Sequence, residues 1–302
     1  MNRPVVVLTS LLIGSAPAVS IGTGQLFAQT DQRPRTVVLT NDDGIEAEGL
    51  LALARAFAPV ARVYVIAPLE SRSASTNYTS AVAARALEVQ RVELGDGIIA
   101  YGVDGYPADA VTWAIRGLLA DEPPDLVISG VNTGPNLTGD WALSGTVGAA
   151  RAAAFFGVPA IAVSGWSPDH PETLEALASW LVELAGSDLV RSLEPGRYLT
   201  VSVPRVAAPE IEGVAIASRS PRNWRIDMER SPDGVGPGRE RWSLRFTPLE
   251  LSEPVGSDLY YYKRNVIAIV PMEVDEIDWA LFEELLGASS QLPAWPAARP
   301  SR

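Results

Sequence analysis

The chain has 302 residues, of which 47% are apolar, with 36 acidic side chains, 24 basic side chains, no cysteine and one histidine. This length allows one large domain or two small ones with a substantial buried core. The absence of cysteine excludes a disulfide scaffold, a thiolate metal site and a cysteine nucleophile. The single histidine excludes sites that need two imidazoles, and the net charge of −12 argues against binding duplex nucleic acid through a general basic surface.

Residues 1–28 have the pattern of an export signal. Arg3 supplies a positive charge, residues 5–13 form a short apolar stretch, and small residues follow it. The apolar stretch is shorter than the ~20 residues that a membrane-spanning helix needs. We therefore expect a signal peptide at 1–28 and an exported protein, periplasmic or secreted, with no stable membrane anchor.

Short apolar strands alternate with helical segments along the first two thirds of the chain. Strands are predicted at residues 36–40, 62–67, 126–129, 160–164 and 198–203. Helices are predicted at residues 47–58, 107–119, 144–156 and 171–185. A loop at 69–84 is followed by a hairpin formed by 86–92 and 98–103. This alternation predicts an α/β fold with a mostly parallel sheet and helices on both faces.

The pattern changes after residue 203. Strand-like runs occur at 211–218, 241–246 and 266–270, and residues 232–238 are rich in Gly and Pro, as in a hairpin tip. A last helix is predicted at 275–286. We therefore expect a core at 36–206, a C-terminal hairpin and oligomerisation region with the final helix at 207–287, and a Pro-rich tail at 288–302.

Three polar segments follow predicted strands of the core. Asn41-Asp42-Asp43-Gly44 follows the first strand, Ser71-Arg72-Ser73 follows the second, and a loop from Gly130 to Asn136 follows the strand at 126–129. The carboxyl ends of parallel strands lie on one rim of the sheet, where ligands bind. We expect these three segments to converge there.

The adjacent Asp42 and Asp43 repel each other when both are charged, and a divalent cation relieves that repulsion. The same segment also has the composition of a polar turn in which one Asp caps the next helix, so both interpretations remain open for it alone. Three oxygen-rich loops on one rim favour a hard ion, Mg²⁺ or Mn²⁺. Such ions typically act on phosphate substrates.

The predicted helix at 144–156 opens with Ser144-Gly145-Thr146. Backbone N–H groups, hydroxyls and the helix dipole at such an end suit an anion. An ordinary N-cap by Ser144 is the alternative, and it is compatible with either function.

Together these motifs resemble the SurE-like phosphatase/nucleotidase family. The resemblance covers about half of the chain, from residue 36 to residue 164. It is carried by Val37-Val-Leu-Thr-Asn-Asp-Asp-Gly-Ile45, Ala67-Pro68 with Arg72-Ser73-Ala74, Gly105-Tyr-Pro-Ala-Asp109, Ser129-Gly-Val-Asn-Thr-Gly-Pro-Asn136 and Ser144-Gly-Thr-Val-Gly-Ala-Ala150.

The resemblance implies a site for one divalent cation, Mg²⁺ or Mn²⁺. Its ligands would be Asp42, Asp43, Ser73 and Asn132. The substrate-binding residues would be Asn41, Gly44, Asn136, Ser144, Gly145 and Thr146. Among all of these, Asp42, Asn136 and Ser144 would take part in catalysis.

The resemblance also implies a Rossmann-like core and a C-terminal β-hairpin arm that mediates homodimers or homotetramers. The expected activity is metal-assisted attack of water on nucleoside 5′- or 3′-monophosphates, or on short polyphosphates. A haloacid-dehalogenase-type phosphatase needs Asp-x-Asp after the first strand, which the adjacent Asp42 and Asp43 do not provide. An exported, non-catalytic nucleotide- or phosphate-binding protein of the same fold is the other alternative.

Several residues near the expected substrate pocket depart from the family pattern, so the base preference stays open. They are Tyr106, Leu143 and the segment Asp140-Trp141-Ala142. Three arginines, Arg219, Arg222 and Arg225, surround Trp224. They would either contact phosphate or base above the site or belong to a solvated, charged hairpin. We interpret His170, which lies in a loop before a helix, as a surface residue.

Overall fold

The computed structural model describes residues 35–80, 86–95, 97–232, 235–236, 238–249, 253–276 and 278–287. The leader predicted at 1–28 and the tail predicted at 288–302 lie outside the described residues. Within the described residues, no helix is long and apolar enough to cross a membrane.

Among the residues that the structure describes, nine strands form one sheet. In chain order they are β1 (Thr36–Thr40), β2 (Arg62–Pro68), β3 (Val89–Val92), β4 (Ile98–Val103), β5 (Leu126–Asn132), β6 (Ala160–Ser164), β7 (Arg197–Ser202), β8 (Gly213–Ile216) and, after two further strands, β11 (Val266–Glu273). Their order across the sheet is β3-β4-β2-β1-β5-β6-β7-β11-β8. The two remaining strands, β9 (Trp224–Arg230) and β10 (Trp242–Pro248), pair antiparallel outside this sheet and form the arm.

The centre of the nine-stranded sheet is parallel. The pairs β4/β2, β2/β1, β1/β5, β5/β6 and β6/β7 are all parallel, whereas β3 and β11 run antiparallel to their neighbours β4 and β7. This arrangement confirms the predicted Rossmann-like fold with a C-terminal hairpin. From β1 the chain goes to β2 on one side and returns to β5 on the other, so β1 lies at the topological switch point, where open sheets bind ligands.

Helices cover both faces of the sheet. In chain order they are α1 (Glu48–Phe57), α2 (Pro107–Trp113), α3 (Gly145–Phe155), α4 (Pro171–Gly186), α5 (Asp188–Arg191), α6 (Asp258–Tyr262) and α7 (Trp279–Gly287). Leu50 of α1 and Leu181 of α4 pack on one face with Leu39. Val111 of α2 and Val147 of α3 pack on the other face with Val38. Because both faces are covered, the central strands are continuous apolar runs.

Some elements differ from the predictions. The helix predicted at 107–119 is an α-helix only as far as Trp113. It continues as a π-helical turn, Ala114–Leu118. The last helix begins at Trp279, not at residue 275. Strand β9 and the short helices α5 and α6 were not predicted. In β9, Trp224, Ile226 and Met228 alternate with charged residues, and this period of two was the available signal.

Candidate active site

A cleft of about 290 Å³ opens at the carboxyl ends of β1 and β5. It brings together side chains from three strand ends, the start of α3 and the arm. The lining residues are Asp42, Ser73, Ala74, Asn132, Pro135, Asn136, Asp140, Leu143, Ser144, Trp224 and Phe246. The predicted convergence of the three polar segments is thus found in the structure, since Asp42, Ser73 and Asn132 line the same cleft.

The turn after β1 is braced by Asn41. Its Nδ2 donates to the Gly44 carbonyl at 2.9 Å, and its Oδ1 accepts from the Gly44 N–H at 3.2 Å. Asn41 is 1% exposed, and Gly44 adopts a φ of +114°. Both residues, predicted to bind substrate, therefore shape the turn that presents Asp42 and Asp43.

The start of α3 holds the carboxylate of Asp42. The Thr146 hydroxyl donates to Asp42 Oδ1 at 2.5 Å, and the backbone N–H groups of Gly145 and Thr146 also favour the charged form. Burial has the larger effect and raises the pKa of Asp42 above its usual value. The predicted anion site at this helix start thus contacts a carboxylate of the protein itself, whereas the roles of Gly145 and Thr146 as phosphate contacts stay predictions.

The absence of a side chain at Gly145 allows this close approach. A Cβ there would lie 2.7 Å from the Asp42 Cβ and 2.7 Å from the Ser75 Oγ. Ordinary carbon–carbon contacts are about 3.5–4.0 Å. Any larger residue at position 145 would therefore displace Asp42, the loop that contains Ser75, or the start of α3.

Asp43 is half-buried beside Asp42. Burial, together with the negative charge of Asp42, raises the pKa of Asp43 to about 6. Two adjacent carboxylates with raised pKa values have the electrostatics of a site that a cation would stabilise. No group of three or more Asp, Glu, His or Cys that could hold a metal occurs in the described parts of the chain, so further ligands would come from neutral oxygens.

Two neutral oxygens are placed to complete such a set. The Asn132 Nδ2 donates to the Gly134 carbonyl at 2.8 Å, which leaves the amide oxygen for a ligand. The Ser73 side chain is exposed and its Oγ lies 3.2 Å from the Ser71 Oγ. Two carboxylates, an amide oxygen and a hydroxyl form a hard, all-oxygen donor set that fits Mg²⁺ or Mn²⁺. The ligand roles themselves stay predictions.

The loop that contains Ser73 is fastened at its far end by Asp109 of α2. The Asp109 Oδ1 accepts from the Thr79 hydroxyl and from the Ser80 N–H, both at 2.8 Å. Its Oδ2 accepts from the Ser80 hydroxyl and from the Tyr106 N–H, both at 2.9 Å. The sequence shows Asp109 only as the last residue of the motif that begins at Gly105. The structure gives it a positioning role.

Asn136 and Ser144, the two predicted phosphate contacts considered next, both line the cleft. The Asn136 Nδ2 donates to the Ser164 Oγ at 2.7 Å, which uses one of its two hydrogens. The Ser144 Oγ accepts from the Val147 N–H at 3.1 Å and so caps α3. Its hydroxyl hydrogen remains available as a donor. The N-cap interpretation of Ser144 is therefore right, and it is compatible with substrate binding.

The root of the arm lies against the cleft. The sequence left open whether the arginines around Trp224 lie above the site, and it assigned no role there to Trp224 or Phe246 themselves. Trp224 and Phe246 pair edge to face, with ring centroids 5.1 Å apart, and both line the cleft. The Trp224 Nε1 donates to Asp140 Oδ1. Burial raises the pKa of Asp140 above its usual value.

The three arginines near Trp224 have different surroundings. The guanidinium of Arg219 contacts Asp258 at 3.0 Å and the carbonyl of Asn136 at 3.3 Å, so it ties the cleft loop to α6. Arg222 is exposed and lies 5.7 Å from the Trp224 ring centroid. Arg225 is exposed and pairs with Asp227 at 3.0 Å, in agreement with a solvated hairpin.

The single histidine lies away from the cleft. His170 precedes α4, and its Nδ1 lies 3.6 Å from a carboxylate oxygen of Glu172. Its side chain is about one third exposed, as expected of a surface residue.

Comparison with protein families and with known proteins gives one consistent result. The family model for survival protein SurE matches residues 37–226. The 5′-nucleotidase SurE of Geobacter sulfurreducens is 36% identical over 244 residues, which cover 81% of this chain and 90% of the relative. The 5′-nucleotidase SurE of Methylococcus capsulatus is 35% identical over 263 residues, which cover 87% of this chain and 98% of the relative.

The structural comparison agrees with the sequence comparison. The crystal structure of the SurE protein from Aquifex aeolicus superposes with a TM-score of 0.70 at 26% sequence identity. The match covers 84% of this chain and 99% of the Aquifex chain.

These comparisons correct the expectation of export. The SurE relatives are cytoplasmic 5′-nucleotidases, so the prediction of a periplasmic or secreted protein is wrong. The family match begins at residue 37, after the segment at 1–28 on which that prediction rested.

Proposed function

The chain belongs to the SurE family, and we propose that it is a metal-dependent phosphomonoesterase that hydrolyses nucleoside monophosphates as a 5′-nucleotidase. SurE-family nucleotidases are generally metal-dependent. Mg²⁺ or Mn²⁺ is the proposed ion, and Asp42, Asp43, Ser73 and Asn132 are its proposed ligands.

The observation that carries the proposal is the arrangement of Asp42 and Asp43 at the switch point. Both carboxylates have raised pKa values, and Asp42 lines one cleft with Ser73 and Asn132. Charged carboxylates withdrawn from water destabilise the fold unless a cation or hydrogen bonds compensate. In a site of this kind the ligand-free protein is less stable, and binding of the ligand compensates for the loss.

A divalent cation held by these residues would polarise a phosphate oxygen and lower the pKa of water. The Thr146 hydroxyl fixes Oδ1 of Asp42, and the start of α3 holds the same carboxylate. The other oxygen, Oδ2, is the proposed acceptor of the proton of the attacking water. The water oxygen then forms a bond to phosphorus as the ester P–O bond breaks, and the leaving alkoxide takes up a proton.

Two neutral groups stabilise the charge that develops on the phosphate. The second Nδ2 hydrogen of Asn136 and the hydroxyl hydrogen of Ser144 are donors on the cleft wall. Donors fixed by the protein act without reorganisation during the reaction, which is why they lower the barrier. Ser164 fixes Asn136, and capping of α3 fixes Ser144.

The test is release of phosphate from AMP with Mn²⁺, with Mg²⁺ and with EDTA. We expect activity with either ion, none with EDTA, and loss of metal-dependent turnover in Asp42→Asn. Asp121→Asn is the matched control, since Asp121 is exposed and precedes β5, at the opposite end of the strand from the cleft. Full activity of Asp42→Asn, or equal activity in EDTA, would contradict the proposal.

The same assay separates an enzyme from a binding protein of this fold. Calorimetric binding of AMP by the wild-type protein without any release of phosphate would favour the binding protein. Turnover by the wild type together with its loss in Asp42→Asn favours the enzyme.

A further inference from the structure

The residues that line the cleft fall into two chemical groups. The polar part of the lining consists of Asp42, Ser73, Asn132, Asn136, Asp140 and Ser144. The apolar part consists of Ala74, Pro135, Leu143 and the two aromatic rings of the arm, Trp224 and Phe246, which contact each other. A ligand that fills the cleft therefore needs a charged end and a flat, apolar end. The volume of about 290 Å³ lies near the lower limit of small-molecule sites.

The Trp224 ring is fixed in place by the loop that precedes α3. Its indole N–H is bonded to Asp140, and the neighbouring Asn223 Oδ1 accepts from the Thr138 hydroxyl at 2.8 Å. The Arg222 side chain covers Gly139 so closely that a Cβ at Gly139 would lie 2.9 Å from the Arg222 Cγ. The root of the arm is thus fastened to the cleft loop at three successive residues, 222 to 224.

We infer that Trp224, supported by Phe246 and positioned by Asp140, is the surface on which the nucleobase of the substrate stacks. The inference rests on the proposed function, because the phosphate of the same ligand would contact the polar part of the lining. Every nucleobase has an apolar π face, so stacking selects nucleotides over sugar phosphates without selecting one base. Trp224 is then a specificity-determining residue, and Asp140 is a positioning residue.

The experiment compares AMP with ribose 5-phosphate, which has the same phosphate ester and lacks the base. Stacking on an aromatic side chain corresponds to a factor of about 5 to 150. We expect the wild type to favour AMP in kcat/KM by a factor in this range. Trp224→Ala should remove most of this preference by lowering kcat/KM for AMP alone, and Trp224→Phe should keep most of it.

Trp242 provides a matched control on the same arm. It lies in β10, its Nε1 donates to the Glu240 carboxylate at 3.0 Å, and it is absent from the cleft lining. Trp242→Ala should leave the ratio between the two substrates unchanged. Loss of the ratio in Trp242→Ala, or an equal fall for both substrates in Trp224→Ala, would overturn the inference. An unchanged ratio in Trp224→Ala would overturn it as well.

A binding measurement separates this inference from the proposed function. If the wild-type protein releases phosphate from neither compound, the proposed function fails. Calorimetry with adenosine then tests the stacking surface alone. Weaker binding by Trp224→Ala than by Trp242→Ala supports the inference, and equal binding or no binding by the wild type overturns it.

Discussion

Gly145→Ala is the most informative perturbation of the site, because it adds one methyl group between α3 and Asp42. The new Cβ would lie 2.7 Å from the Asp42 Cβ and 2.8 Å from its Oδ2. An ordinary contact is at least about 3.5 Å, so Asp42 or the helix start must move by about 0.8 Å. A displacement of about 1 Å at a reacting group costs on the order of 100-fold in rate.

The expected cost in stability is small enough for the variant to stay folded, since domains are stable by about 5–15 kcal/mol. Overpacking costs about 1–3 kcal/mol, and replacing a helical Gly by Ala returns up to about 1 kcal/mol. The net loss of about 0–3 kcal/mol corresponds to a fall in Tm of at most about 12 °C.

The assay is kcat/KM for AMP with Mn²⁺, together with the Tm of each variant. Gly186→Ala is the control, since Gly186 ends α4 and a Cβ there meets nothing within 4 Å. We expect a folded Gly145→Ala protein with a roughly 100-fold lower kcat/KM, and an unchanged rate in Gly186→Ala. A Gly145→Ala protein with wild-type activity would refute the reasoning.

Three further predictions concern the groups that support the two carboxylates. Asp109→Ala removes the three hydrogen bonds that fasten the Ser73 loop, together with the bond to the Tyr106 N–H at the start of α2, and should weaken Mn²⁺ binding about 10- to 100-fold by calorimetry; unchanged affinity would contradict the positioning role. Thr146→Val removes the hydroxyl bond to Asp42 and should cost about 1.5–3 kcal/mol of unfolding free energy in urea, whereas no loss would show that this bond contributes nothing. Because the pKa of Asp43 is raised to about 6, the metal-free folded state binds more protons than the unfolded chain at intermediate pH. Its stability in EDTA should therefore rise as the pH falls from about 7 to about 4, more in the wild type than in Asp43→Asn; equal slopes in the two proteins would refute this assignment.

The sheet was the most predictable part of the molecule. The predicted bounds of β1, β4 and β6 agree with the structure. The central strands are buried on both faces, so each is an apolar run that ends at polar or turn-forming residues such as Asn41 and Gly165. Because these strands alternate with helices, the sequence predicts a parallel sheet. The polar segments that follow its strands are then expected to lie on one rim.

The arm was harder to predict because its strands have little core to pack against. Ile226 and Met228 are exposed, and charged residues separate them. The sequence of β9 therefore lacks the continuous run of apolar residues that marks a buried strand. Its regular alternation of apolar and charged residues was the usable signal. That its root closes one side of the cleft depends on tertiary packing, which no local pattern encodes.

The support of the site depends on contacts between residues far apart in the chain. Thr146 lies 104 residues after Asp42, and Trp224 lies 84 residues after Asp140. The helix start at Ser144 was predicted, and its local pattern suggests an anion. Which anion it meets is decided by how α3 packs against the turn after β1, and in the structure that anion is the carboxylate of Asp42.

The central claim is that Asp42, Asp43, Ser73 and Asn132 together hold one divalent cation. Anomalous diffraction from crystals of the protein grown with Mn²⁺ tests it most directly. We predict a single strong peak in the cleft, about 2.1 Å from side-chain oxygens of these residues, and its absence in Asp42→Asn. A peak at another site, or none in the wild-type cleft, would contradict the account.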